Sequence, residues 1–215
     1  MNAGNPPLYA AGFPALPGSS DLARLFAGGI AGLVLWEIWA RGLTPLVTGG
    51  ALEPPQLIIS LVKYWTGLTL GIVPATIAHY AVGIAGYPVV YWIVSRNLRA
   101  WAPVFDIAVW ALFTGAVAMM FLSGTGRITT VYFWLAVTLL SATRYVNPNK
   151  TVADAISWGS FTWFNALGIM APLAGLPFLL LKWGDGLSFM SWAGHAIYGA
   201  VAVVIYEAWR KSAAP

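Results

Sequence analysis

The sequence predicts an all-α integral membrane protein: a six-helix transmembrane bundle with a parallel two-hairpin repeat and one amphipathic surface helix over 56–70. Three observations predict it. Of 215 residues, 59% are hydrophobic and only 8% charged, whereas a soluble domain carries about 25% charged residues. Seven acids and eleven bases cannot cover the outside of a water-soluble fold of this size. The apolar residues fall in six long runs, each bounded by Gly, Pro or charge, and six spans of about 20 residues leave room for termini, loops and one surface segment, but not for a large soluble domain.

Residues 1–19, MNAGNPPLYAAGFPALPGS, contain four Pro and no Lys or Arg. They lack the basic start and unbroken apolar stretch of a cleavable signal peptide, so 1–21 reads as an N-terminal arm. The remainder, 22–215, reads as one transmembrane domain. Its spans are expected at 22–44, 75–95, 102–123, 128–144, 154–181 and 188–209. Between the first two lies QLIISLVKYWTGLTL, residues 56–70, after Pro54-Pro55. There Gln56, Ser60 and Lys63 form one stripe and Leu57, Ile58, Leu61, Val62, Tyr64, Trp65 and Leu68 the opposite face. Such a helix lies along a membrane surface more naturally than across it.

The bases set the orientation. Placing Arg96, Arg99, Arg144, Lys150, Arg210 and Lys211 on one side, with Arg24, leaves Arg127 and Lys182 on the other side of the second half. The positive-inside rule makes the first side cytoplasmic, which gives a bacterial inner-membrane protein with both termini inside. The net charge of +4 comes from bases scattered at the ends of apolar runs, so it reports topology and no nucleic-acid surface. Most of the twelve Trp fall near span ends, as an interfacial belt requires. The expected partners are membrane lipids, and other membrane proteins or further copies of the chain.

The chain also repeats itself. His79-Tyr-Ala-Val-Gly83 pairs with His195-Ala-Ile-Tyr-Gly199, and Thr44-Pro45-Leu46, at the end of the preceding span, pairs with Ala171-Pro172-Leu173. The units, 22–97 and 153–211, run in the same direction, with 102–144 as linking helices; this implies an axis along the membrane normal. The A-G-L-V start, the x-Pro-Leu turn and Gly194-His195-Ala-Ile-Tyr198-Gly199 resemble a group of uncharacterised bacterial inner-membrane proteins described only as domains of unknown function. That resemblance covers the repeat units alone and implies a small helical bundle, without chemistry.

Chemistry is confined to few residues. There is no Cys, which removes disulfides, thiolate ligands, iron–sulfur clusters and cysteine nucleophiles. The only histidines are the repeat-related His79 and His195, expected at matching depth about 6 to 10 Å inside one end of their helices. Neutral imidazole ligates haem iron, transition metals and chlorophyll-type magnesium. Gly83 and Gly199, one turn on, would leave room for a flat ring, so a b-type haem or pigment between the two His is one reading, and helix packing with ordinary hydrogen bonds is the plainer one. Met119, Met120, Met170 and Met190 add a weaker copper reading, since thioether and imidazole suit Cu(I). Glu37 lies deepest of the acids, with Arg41 at i+4 as partner and Asn165 as the counterpart in the second unit. Asp154 has a capping-box explanation with Thr151, and Glu207 an ion pair with Arg210.

No Gly-rich phosphate loop, Ser-His-Asp set or His-Glu-x-x-His is present, so an independent enzyme is the last choice. Two functions remain. In the first, the chain is an accessory or assembly subunit of a larger respiratory or photosynthetic membrane complex. In the second, it is a small transporter or channel with a path past Glu37, Asn165 and the two His. The shortage of broken helices, Pro88 being the main mid-span breaker, places the subunit first.

Overall fold

Each apolar run winds into a helix whose ends have local causes. A computed structural model describes residues 16–98 and 100–212, and among these it is all-helical. Positions 1–15 of the expected arm, and Arg99, lie outside the described residues. The long helices are α1 (Ser19–Thr48), α3 (Ile72–Asn97), α4 (Trp101–Leu122), α5 (Ile128–Val146), α6 (150–173) and α7 (Asp185–Ser212), with the short α2 (Pro54–Thr66) between the first two. Four of them, α1, α3, α4 and α7, are long and apolar enough to cross a membrane.

Helix α2 ends four residues earlier than its hydrophobic pattern suggests, because Gly67 adopts φ 73° and closes it in the left-handed conformation. Its 13 residues span about 20 Å, too short to cross a hydrocarbon core of about 30 Å. Helix α6 likewise stops at Leu173, short of the expected 181: Gly175 turns the chain at φ 75°, and Pro177 can donate no backbone bond. The FLLL run that follows forms a 3-10 turn, Phe178–Trp183, with Leu179 and Leu180 at positive φ and buried.

Three helices change winding partway along. Trp39–Leu43 in α1, Val82–Gly86 in α3 and Phe164–Met170 in α6 are π-wound. Each is closed by an N–H reaching five residues back: Thr44 to Trp39, Tyr87 to Val82 and Ala171 to Ala166. The cause is in the sequence. Pro45, Pro88 and Pro172 follow these segments after one intervening residue, and a proline ring crowds the carbonyl four residues before it. Those carbonyls belong to Arg41, Ile84 and Gly168, one inside each segment. Widening the turn lets the helix pass the proline without breaking.

Helix α7 is the centre, packed between α1 and α6, with α3 against α1, and α4 and α5 against α6. Small residues permit the crossings. A Cβ on Gly199 would run into the Gly159 backbone, and one on Gly29 into the Ile84 carbonyl. Aromatic side chains fill the rest: Phe113, Phe133, Trp163 and Trp192 in one cluster, Tyr91, Trp101, Trp158 and Tyr206 in another. Many meet edge to face, contacts worth about 0.5–1.5 kcal/mol each. Tryptophans serve both packing and surface. Trp36, Trp92, Trp101, Trp158, Trp163 and Trp192 are core residues, while Trp65, Trp183 and Trp209 are exposed.

The two ends of the bundle are tied differently. At the end where α1 begins and α7 finishes, the terminal end, Glu207 pairs with Arg96 at 3.2 Å and Arg210 at 2.8 Å. Arg144 bridges to Asp154 and donates to Ser157. The cap of α6 is Asn149, whose side chain accepts from Thr151 and Val152 N–H. Asp154 therefore serves as the partner of Arg144 rather than closing a capping box with Thr151. At the opposite end, Thr129 and Thr130 donate to the buried Asp185 at the start of α7.

Candidate functional site

Side chains from α1, α3 and α7 meet below α2. Glu37 lies just before the π-wound segment of α1, and its carboxylate is held on two sides. Arg41 Nε donates to Oε2 along the same helix, and His79 Nε2 on α3 lies 3.2 Å from Oε1. Neighbouring Trp36 presents its indole to both imidazoles, with ring centroids 5.4 Å from His79 and 5.7 Å from His195, near T-shaped in each case. The sequence-predicted Glu37, Arg41, His79 and His195 thus form one cluster. Asn165 lies outside it: its Nδ2 donates to Tyr87 Oη at 3.0 Å.

The cluster borders a cavity of about 300 Å³, lined by Trp36, His79, Tyr87, Met170, Ser191 and His195 among mainly apolar neighbours, and roofed by Leu52, Glu53, Leu57 and Ser60 from α2 and the turn before it. That volume is at the lower end of small-molecule pockets, which run about 300–1,000 Å³. Two of the three π-wound stretches reach it. Val82, Ala166, Leu167 and Met170 line it directly, and the segment of α1 follows Trp36 and Glu37. His79 stands in the helix that starts at Ile72 and His195 in the one that starts at Asp185, and the two imidazoles flank the single indole of Trp36.

Hydrogen bonding fixes the tautomer of His195. Its Nδ1 is 2.8 Å from the Ser191 carbonyl one turn back, so Nδ1 carries the proton. Trp36 Nε1, 3.4 Å from that nitrogen, then makes a packing contact, since a protonated ring nitrogen cannot accept. The Nε2 lone pair is left without a partner among the described residues. His79 is the reverse case: with Glu37 ionised, Nε2–H points to the carboxylate.

Other expectations sort themselves by position. Gly83 lies against the Leu33 side chain and its carbonyl accepts from Tyr198 Oη at 2.6 Å; Gly199 is filled by the α6 backbone. Neither glycine lines the cavity, so the space expected for a flat ring is taken by neighbouring helices. With His79 Nε2 committed to Glu37, the two imidazoles do not offer matching free nitrogens to one haem iron. Of the methionines, Met170 lines the cavity, Met190 is buried between α1 and α7, Met120 packs on the aromatic core and Met119 is exposed. No group of three or more His, Asp or Glu placed to hold a metal occurs among the described residues.

Sequence reasoning missed Trp36, Tyr87, Ser191 and the roof. Ser191 carried a signal, since a helical histidine often bonds the carbonyl at i−4. No protein family, curated protein or solved structure matches the chain.

Proposed function

We propose that this chain is a small transporter of a bacterial inner membrane, with its ligand site in the cavity beneath α2 and the Glu37–His79 pair as its proton-sensitive element. The observation that carries the reading is convergence: two π-wound segments line one cavity together with His79, whose imidazole is bonded to Glu37 just before the third. π-wound turns concentrate at functional sites, and an acid deep in a span is a functional residue by default. The helices stay unbroken, and the π-wound stretches are the irregular backbone that favours a transporter here.

In this reading all six long helices span the membrane. Arg24, Arg96, Arg144, Lys150, Arg210 and Lys211 gather at the terminal end, against Arg41, Lys63, Arg127 and Lys182 at the other, which puts both termini in the cytoplasm. The parallel repeat gains support from α1 and α6, each π-wound just before x-Pro-Leu. It is weakened in the second pair, where α7 has Val204 at the place of Pro88 and no π segment.

The test is vesicles containing the purified protein and loaded with a small-molecule cell extract, their contents profiled after a pH gradient is imposed. A small set of compounds should leave wild-type vesicles and stay in Glu37→Gln vesicles; identical profiles would overturn transport. The subunit reading rests on a different observation, the apolar outer faces of α4 and α5, with Leu112, Met119, Leu135 and Leu139 exposed. It requires a stable assembly with other proteins in mild detergent.

A further inference from the structure

Three buried side-chain atoms have no hydrogen-bond partner among the described residues, and two of them stand one turn apart at the start of α7: Asp185 Oδ1 and Ser188 Oγ. The third, Trp163 Nε1, lies in an aromatic cluster. Asp185 is 4% exposed and Ser188 0%. At i and i+3 their side chains share one face of the helix, yet they are not bonded to each other. The other carboxylate oxygen, Oδ2, accepts from Thr129 at 2.6 Å and Thr130 at 2.9 Å on α5. The carboxylate therefore turns to α5, and no base pairs with it: the ion pairs among the described residues use Asp21, Glu37, Asp154 and Glu207. Arg127 and Lys182, the bases nearest to this group in sequence, are exposed.

A carboxylate oxygen only accepts, so whatever meets Oδ1 brings a donor or a positive charge. A neutral donor leaves the buried charge uncompensated, which is costly; the positive end of α7 offsets about half of it. A proton serves Oδ1 alone and leaves Ser188 Oγ without a partner. A divalent ion gathers several carboxylates, and no group of three or more His, Asp or Glu placed to hold a metal occurs among the described residues. A singly charged ion balances one carboxylate and takes hydroxyl oxygens as neutral ligands. From this we infer that Asp185 and Ser188, with the hydroxyls of Thr129 and Thr130, hold one small monovalent cation of the Na⁺ type at the end of the bundle away from the termini. The inference does not rest on the transport reading. It places the ion one turn from Ser191, which lines the cavity from the same helix.

The full chain in mild detergent is titrated with NaCl replacing choline chloride at constant ionic strength and pH, with the thermal unfolding midpoint as readout. Na⁺ should give a saturable rise of about 2–5 °C, and choline none. Asp185→Asn should abolish the rise, and Ser188→Ala should move half-saturation to about 3- to 10-fold higher Na⁺, the worth of one ligand oxygen. Should Asp185→Asn fail to fold, Ser188→Ala decides, since it only removes a buried hydroxyl. Equal midpoints in Na⁺ and choline would overturn the inference, and a rise on lowering the pH without any response to Na⁺ would assign the carboxylate to a proton instead. A Na⁺ response unchanged in Ser188→Ala, or persisting in Asp185→Asn, would put the ion elsewhere and overturn the site.

Discussion

The terminal end and the cavity end of the bundle use similar side chains to opposite effect. At the terminal end, Glu207 sits between two arginines with a third contact from Tyr91, and Asp154 is matched by Arg144, which also holds Ser157. These groups link α3, α5, α6 and α7. At the cavity end, Glu37 shares its carboxylate between a half-exposed arginine and a histidine, beside about 300 Å³ of open space. A carboxylate matched by arginine stays charged and fixed. One matched by histidine has a partner that can be neutral. In the proposed reading the same acid type is a fastener at one end and a responsive group at the other.

Removing a fastener should have the largest effect on stability. Arg144→Ala leaves Asp154 and Ser157 without their partner where the side chains of Arg144 and Asp154 are only 10% and 17% exposed. Such a loss costs about 3 kcal/mol or more, and thermal unfolding in detergent should drop accordingly. Glu207→Gln comes next. It weakens two ion pairs, but Arg96 and Arg210 are 33% and 39% exposed and water screens them, so about 1–2 kcal/mol is expected by the same measurement. A reversed order would mean that the Arg144 site is solvated and the fastener description fails there.

How much of this was legible in the sequence differs between fold and site. The helices stand within a few residues of the apolar runs, because in lipid a backbone must satisfy its own hydrogen bonds and long apolar stretches have no other stable form. The boundaries that moved did so at Gly67, Gly175 and Pro177, where positive φ or a missing N–H overrides hydrophobicity. Glu37, the two histidines and Asn165 were singled out as polar residues in apolar surroundings; the structure puts both histidines on one cavity wall, with Glu37 bonded to His79 and Asn165 to Tyr87. Tyr87 and Trp36 were hidden among the other aromatics, since being next to a cavity is a property of three helices together. The π segments had a local signal, a proline late in a long helix, but proline alone does not distinguish a break from a widened turn. Gly83 and Gly199 show the converse error: room beside a glycine is room for whatever packs there, and neighbouring helices pack there.

The roof lies between the two regimes and predicts a smaller effect. Gly67 ends α2 at φ 73° with no neighbour that a Cβ would meet, so Gly67→Ala costs only the conformational term of about 1 kcal/mol. Hydrogen exchange should rise in the last turn of α2 and near Leu173, whose carbonyl is held by Trp65 Nε1 at 2.8 Å. Exchange at the terminal end should not change; a change there would show that α2 is part of the fold's cooperative core and no separate cover.

Glu37→Gln should have the smallest effect on stability, and it tests the comparison most sharply. The amide keeps the size and one acceptor of the carboxylate, Arg41 is 47% exposed and can turn to water, and the His79 contact is one hydrogen bond at 3.2 Å. A loss of about 0.5–1 kcal/mol follows, well below that of Arg144→Ala. Flux should nevertheless disappear, because an amide cannot exchange a proton with His79 as the carboxylate can. If Glu37→Gln instead unfolds the protein as severely as Arg144→Ala, Glu37 is a fastener like Glu207, and the distinction between the two ends falls. If it leaves both stability and flux intact, the pair is a surface feature of the cavity and proton sensitivity lies elsewhere. Only a stable but inactive variant is consistent with an acid kept at this depth for chemistry, since the terminal end shows that the chain fixes structural acids with arginines from other helices.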